Sequence, residues 1–434
     1  MGLTADQTRA FLVHAHNLGH DAARLLDGAE EVRDFGLPAL DHGRVFSTAD
    51  DASRGCRAEH FFNPTIAARR RLGQGVHDRC EAGVFAGLPV AQSDLVGMAG
   101  HLPFPVRASS ELTRRIPAGT EWDVSARPGD WGREYRDDVV RVVNIGMLIV
   151  EPGARLVVQG NLFFLLCQRV IHLGDDDLDG WQIGVLATPF SVDPGTGPDN
   201  GARGRDGETG LAGADGVARQ ATPTLLGPTL VRDVPEGAAD GLPGGAATDG
   251  THGGPGRTGG AAKIAEITLR AIEGSVTILA AGGDGGNGGD GGDGGNGGSG
   301  GNGAPALRTF RGLLPAGRGG RGGAGGAGGA GGRGGHGGLA SNVYVSVPEA
   351  FVPQVRLRPL PSRGGAGGLG GSGGKAGVSG AGVPPGVPGI AGPDGAAGRH
   401  RPAPPMFLND RPVANAAAIP FEIQPRGGMS HAEQ

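Results

Sequence analysis

The sequence predicts a mainly β protein: a β-solenoid-like body combined with a glycine-rich bundle of polyglycine II helices, behind an N-terminal α-helical segment. Three observations lead there. Short β-prone runs crowd residues 139–166, and glycine recurs every third residue in five tracts between residues 201 and 398. Within 282–338, two Gly-Gly-X tracts carry opposite charge: Asp284, Asp290 and Asp293 at X in one, Arg318, Arg321 and Arg333 in the other. A strict period of three suits neither helix nor strand. It suits the polyproline II backbone, with three residues per turn and a rise of about 3.1 Å.

Composition limits the alternatives. Glycine supplies 90 of 434 residues, against a usual share of roughly 7%. Aromatic content is 4%, so no large aromatic core can run the length of the chain. Net charge is −5, and no basic stripe of the kind phosphate binding needs is present, which argues against a nucleic-acid partner. Cys56, Cys80 and Cys167 are too few and too scattered for a disulfide framework. No stretch approaches the length of a membrane span, and the N-terminus lacks the basic and apolar regions of a secretory signal. An extracellular, cell-surface or virion location would therefore be reached without a classical signal peptide.

Taken in order, residues 1–118 read as a helical and mixed attachment region. Thr4 and Gln7 form a capping-box pattern, and apolar residues then recur at helical spacing from Phe11 to Ala29, predicting a helix over 4–34. Two readings of it stay open: an attachment element, or a helix docked on its own domain. Residues 36–118 read only as mixed or loop-rich. From Ile116 the pattern turns to β, giving a solenoid-like domain over 119–194. Runs at 139–143, 147–150, 156–158 and 162–166 are separated by turn signals at 144–146, 151–154 and 159–161. Cys167 ends the last run and reads as a packed core residue. The phrase Val150 to Asn161 resembles the turns of right-handed parallel β-helices. The triplet domain covers 195–400, with β-prone segments at 224–234, 264–281 and 343–357, and a Pro/Ala-rich tail fills 401–434.

Three readings of the triplets compete. A collagen-like triple helix needs long Gly-X-Y runs, and only 201–216 and 386–398 have that look. A flexible linker is the default for glycine-rich chain. In the third reading, rods without internal hydrogen bonds pack side by side and bond laterally, with Gly-Gly-X tracts inside and Gly-X-Y tracts outside. The acidic tract beside the basic one would then line up exposed ion pairs. In this period, residues 201–398 are similar to the glycine-rich bundles of snow flea antifreeze proteins and of tip adhesins on some bacteriophage tail fibres. They are also similar in composition to mycobacterial surface proteins with Gly-Gly-Ala and Gly-Gly-Asn repeats. Charged X residues depart from the small uncharged array an ice-binding face wants. The tail-fibre resemblance implies receptor-contacting apical loops, here 304–316 with Phe310, Leu313 and Leu314, and 342–362.

Candidate chemistry is sparse. Asp175, Asp177 and Asp179 precede Gly180 in a D-x-D-x-D-G string, a spacing that can converge on Ca2+; Leu186 stands where an EF-hand needs its bidentate Glu. A solvated acidic turn is the competing reading. Cys56, His60, His77 and Cys80 are zinc-ligand types at an uncommon spacing. No nucleophile elbow, zincin, Walker or dinucleotide motif is present. The expectation is a non-enzymatic structural or adhesive protein without a cofactor, assembling into a homo-oligomer or filament or meeting a cell-surface or glycan receptor. The alternative is a polysaccharide-binding or polysaccharide-cleaving β-helix protein with a glycine-rich appendage, using carboxylates such as Asp130, Glu134, Asp137 and Asp138.

Overall fold

The computed structural model describes residues 2–37, 46–62, 103–126, 139–174, 180–188 and 200–413. At its N-terminus α1 (Ala5–Asn17) starts where the capping box predicts. Thr4 Oγ1 accepts from the Gln7 amide at 3.2 Å, and Gln7 Oε1 accepts from the Thr4 amide at 3.0 Å. It ends at Gly19, whose φ of +78° a side chain rarely adopts. A second short helix, α2 (Ala22–Leu26), stops before Gly28, and the chain extends into β1 (Glu31–Leu37). The single helix expected over 4–34 is thus two helices and the start of a strand. Phe11, Ala15 and Leu25 are buried, and α1 docks on its own domain: Gln7 Nε2 donates to the Gln168 carbonyl at 3.2 Å. A third helix, α3 (Asp51–Phe62), follows.

Among the described residues the protein is mainly sheet, with 29% strand, 10% helix and no closed barrel, and the chain visits two main sheets alternately. The strands β2 (Phe104–Ile116), β3 (Glu121–Asp123), β4 (Val140–Val150), β5 (Arg155–Gln159), β6 (Leu162–His172) and β7 (Ile183–Leu186) come first. After the hairpin β8 (Gln220–Thr222) and β9 (Thr229–Arg232) come β10 (Ala265–Leu269), β11 (Ile272–Glu273) and β12 (Val276–Ala281). A second hairpin, β13 (Leu307–Thr309) and β14 (Gly312–Leu314), precedes β15 (Val343–Ser346), β16 (Val355–Leu360), β17 (Met406–Leu408) and β18 (Arg411–Pro412). One sheet runs β1-β2-β4-β6-β10-β15-β17-β18, with β11 beside β6; the other runs β16-β12-β7-β5-β3. Within these two sheets every pairing is parallel except β1 on β2 and β18 on β17. Parallel pairing follows from the alternation, because each strand re-enters its sheet from the same side. Leu148, Leu156, Phe163, Ile183, Ile267 and Ile278 belong to one large core cluster.

Two expectations are corrected here. Strands precede the boundary read at Ile116: β2 starts at Phe104 and pairs with β1, Glu31–Leu37. The turn expected at 144–146 is the middle of β4, an unbroken strand. Asn144 stays in the strand, buried, with the NH2 of its side chain paired and Oδ1 left without a partner among the described residues: Nδ2 donates to Ser110 Oγ at 3.1 Å and to the Phe11 carbonyl at 3.3 Å. The other two turn signals do turn, at Gly153 (φ +69°) and Gly160 (φ +68°). Cys167 is buried in β6, and burial pushes its thiol up to about 12.

The glycine tracts occupy 201–216, 241–260, 282–303, 317–338, 364–380 and 386–398, here numbered first to sixth. None forms helix or strand, yet their backbones are hydrogen-bonded to one another at every third residue. Consecutive tracts run antiparallel: Gly289, Gly292 and Gly295 of the third donate to Gly254, Thr251 and Thr248 of the second. Tracts two apart run parallel: Gly285, Gly288 and Gly291 of the third donate to Arg363, Ala366 and Leu369 of the fifth. Third and fourth tracts each have four such neighbours, and they are the two with glycine at two of every three positions throughout.

Candidate functional site

Each tract pair is inserted between a strand of the second sheet and the next strand of the first. The first two tracts lie between β7 and β10, the next two between β12 and β15, and the last two between β16 and β17. Strand register passes into the tracts unchanged in three of these steps; from β7 to β12 the strand offset is 95, whereas from the first tract to the third it is 87. Ala265 pairs with Val343, an offset of 78, and the Asp240, Asp249 and His252 side chains of the second tract region bond the backbone of the fourth tract at that same offset of 78. Val276 pairs with Val355, an offset of 79, repeated by five side-chain bonds from the third tract to the fifth. Val343 pairs with Met406, an offset of 63, repeated from His336 to Arg399.

Those side-chain bonds explain the acidic and amide residues at X. Asp284, Asn287, Asp290, Asp293 and Asn296 each accept, through Oδ1, the amide of an X residue in the fifth tract, at 2.7–2.9 Å. From the first-tract side, Asn200, Asp206 and Asp215 accept the amides of Asn287, Asp293 and Asn302. A triplet rod leaves its X amide without a backbone partner, and a short carboxylate or amide supplies one. The expected ladder of ion pairs between acidic and basic tracts is not formed: among the described residues no salt bridge joins the third tract to the fourth. Their X positions look to different neighbours, the third tract's to the first and fifth, the fourth tract's to the second and sixth.

The ends of the tracts remote from the sheets are joined by residues 217–240, 304–316 and 381–385. In the first two of these lie the β8–β9 and β13–β14 hairpins, side by side. Phe310 N–H donates to the Pro228 carbonyl at 3.0 Å, and Arg219 Nη1 donates to the Pro315 carbonyl at 2.9 Å. The β8–β9 turn carries Leu225 and Leu226 at its apex, fully exposed at 107% and 87%. The β13–β14 turn carries Phe310, half exposed, and Leu313 at 68% follows it; Leu314 is half-buried across from Leu307. Turn apices ordinarily hold Gly, Asn, Asp, Pro or Ser. Large apolar side chains at two adjoining apices make this end the most distinctive exposed feature of the molecule.

The site residues read from sequence therefore divide. Phe310, Leu313 and Leu314 come together at the tip. The other apical loop expected, 342–362, is corrected: it holds β15, the 3-10 turn Glu349–Gln354 and β16, and belongs to the sheets. Its place at the tip is taken by 217–240, whose signal was a Leu-Leu pair set between Pro223 and Pro228. Asp175, Asp177 and Asp179 lie outside the described residues, as do His77, Cys80, Asp130, Glu134, Asp137 and Asp138. Cys56 and His60 sit on α3 one turn apart, with Cys56 exposed. Among the described residues no three His, Cys, Asp or Glu side chains converge as a metal site.

One buried charged cluster lies on the outer face of the first sheet. Arg57 of α3 is fully buried, with Nη1 2.8 Å from Glu266 Oε2, Nε 2.8 Å from Asp410 Oδ1, and its guanidinium 4.5 Å from the Tyr344 ring centroid. Burial opposes its charge, but the Glu266 and Asp410 carboxylates outweigh that and hold the guanidinium above its ordinary range. Ser47 Oγ and the Thr48 amide also donate to Glu266. These bonds fasten residues 46–57 to the sheet, while Arg57 Nη2 is buried without a hydrogen-bond partner among the described residues. Comparison with family models, curated proteins and solved structures finds no match for this chain.

Proposed function

We propose that this protein is a non-enzymatic display scaffold for a cell surface or virion: a β-solenoid whose coils are extended by hairpins of polyglycine II rods, packed in two layers of three, that hold two apolar turns for a partner. The observation that carries the reading is the shared register. Offsets of 78, 79 and 63 residues hold both in the strands and in the tracts beyond them, so every tract but the first keeps the register of the strand it adjoins. A flexible appendage has no reason to keep strand register. A 22-residue tract in the polyproline II conformation spans about 70 Å, enough to hold the tip well clear of the sheets. Amide hydrogen exchange read by mass spectrometry tests the scaffold. Glycine amides in 282–338 should exchange orders of magnitude more slowly than an unstructured chain. Exchange at the random-coil rate would reduce the tracts to linkers and remove the function proposed.

A further inference from the structure

We infer that the tip docks on an anionic lipid bilayer, seating its apolar turns among the lipid headgroups. The inference rests on the display reading and names the partner. Its first support is shape. Leu225, Leu226 and Leu313 stand out on two convex hairpins, and Phe310 joins them half exposed, its other half set against Gly227 of the adjoining hairpin. A protein pocket can take one such finger; a pair of blunt apolar turns side by side suits an extended, yielding surface.

The second support is charge. Between Asp293 and Glu349 the chain has no acidic residue, while Arg308, Arg311, Arg318 and Arg321 all fall there. Arg308 and Arg311 flank Phe310 and are exposed, and the Arg311 guanidinium lies 5.4 Å from the Phe310 ring centroid. Arg232 of β9 is exposed as well. The acidic groups at this end are Asp215, Asp233, Glu236 and Asp240, outnumbered by Arg219, Arg232, Arg308, Arg311, Arg318 and Arg321; Asp233 faces Arg219 at 3.6 Å. Arginines ringing an apolar apex match lipid phosphates, with guanidinium at headgroup depth and the ring or leucine just below. Among the described residues no helix is long and apolar enough to cross a membrane, so the seat is at the surface.

The experiment is co-sedimentation of the full chain with vesicles of phosphatidylcholine containing about 30 mol% phosphatidylserine, against pure phosphatidylcholine. The expected result is preferential pelleting with the anionic vesicles, weakened by salt. The double variant L225E/L226E should lose at least tenfold in apparent affinity, and R308E/R311E a similar factor on anionic vesicles only. Hydrogen exchange is run on the same samples. Protected tracts without vesicle binding, or binding that survives L225E/L226E, would overturn lipid docking and leave the scaffold standing. Unprotected tracts would overturn both.

Discussion

At the scale of single residues, buried polar groups persist where the chain provides most of their partners, although Arg57 Nη2 and Asn144 Oδ1 stay buried without one among the described residues. Glu266 is 2% exposed and collects the Arg57 guanidinium, the Ser47 hydroxyl and the Thr48 amide. Removing one member of a buried ion pair strands the other, at a loss of roughly 3–5 kcal/mol. Glu266→Ala should therefore lower stability by that amount in urea-unfolding measurements, and Glu266→Gln, which keeps an acceptor, by less. The X residues of the tracts follow the same rule at lower stakes: Asp293 Oδ1 holds the Ser372 amide at 2.7 Å in an exposed position. A hydrogen bond of this kind contributes about 0.5–1.5 kcal/mol. Repetition along the tract, more than any one bond, sets the register.

Among the elements, α1 shows how a helix becomes part of a β body. Its buried face is Phe11, His14 and Ala15, seated on β4 and β6. Burial, with a smaller contribution from neighbouring His20, holds the His14 imidazole down to about 4, against an ordinary value of 6.5. The unfolded chain thus binds a proton between these values that the folded chain does not. Stability is complete above pH 6.5 and falls as pH drops towards 4, by about 3 kcal/mol at most. His20, whose imidazole is also lowered chiefly by burial, acts in the same direction. Urea midpoints measured at pH 7 and pH 4.5 should differ less in His14→Gln than in the natural chain. Sequence made the start of α1 legible through Thr4 and Gln7, but not its end. Gly19 and Gly28 were visible as weak points; that they terminate helices followed from β1 needing to pair with β2.

Across the whole molecule, register is shared between sheets and tracts from the second tract onward. The first sheet adds β10-β15-β17 and the second β12-β16, and the tracts keep those offsets of 78, 63 and 79; the first tract, offset by 87 from the third where β7 and β12 are offset by 95, is set separately. Glycine is required where tracts touch: a Cβ on Gly292 would collide with the Arg205 carbonyl, and one on Gly329 with the Thr251 carbonyl. A single residue inserted after Gly292 would shift every later third-tract side chain by one position and push X residues into those contacts. Its thermal melting should show loss of the tract structure, whereas a full Gly-Gly-Asn triplet inserted after Asn302, at the tip end, should be tolerated. Equal damage from both insertions would contradict register as the organising constraint.

By itself the sequence determined the period of three, the mainly β character, the capped start of α1, and the turns at Gly153 and Gly160, because each depends on neighbours close along the chain. Tertiary structure alone decided that β4 passes through Asn144 without turning, that 342–362 belongs to the sheets, and that 217–240 shares the tip with Phe310. It also decided that Asp and Asn at X hold backbone amides and do not form an ion-pair ladder with the arginine tract. In each of these the deciding partner is remote in sequence: Ser110 and Phe11 for Asn144, and the fifth tract, 79 residues away, for the third. A triplet period fixes how a rod presents its side chains, but which rod lies beside it is set by the order in which the sheets receive their strands.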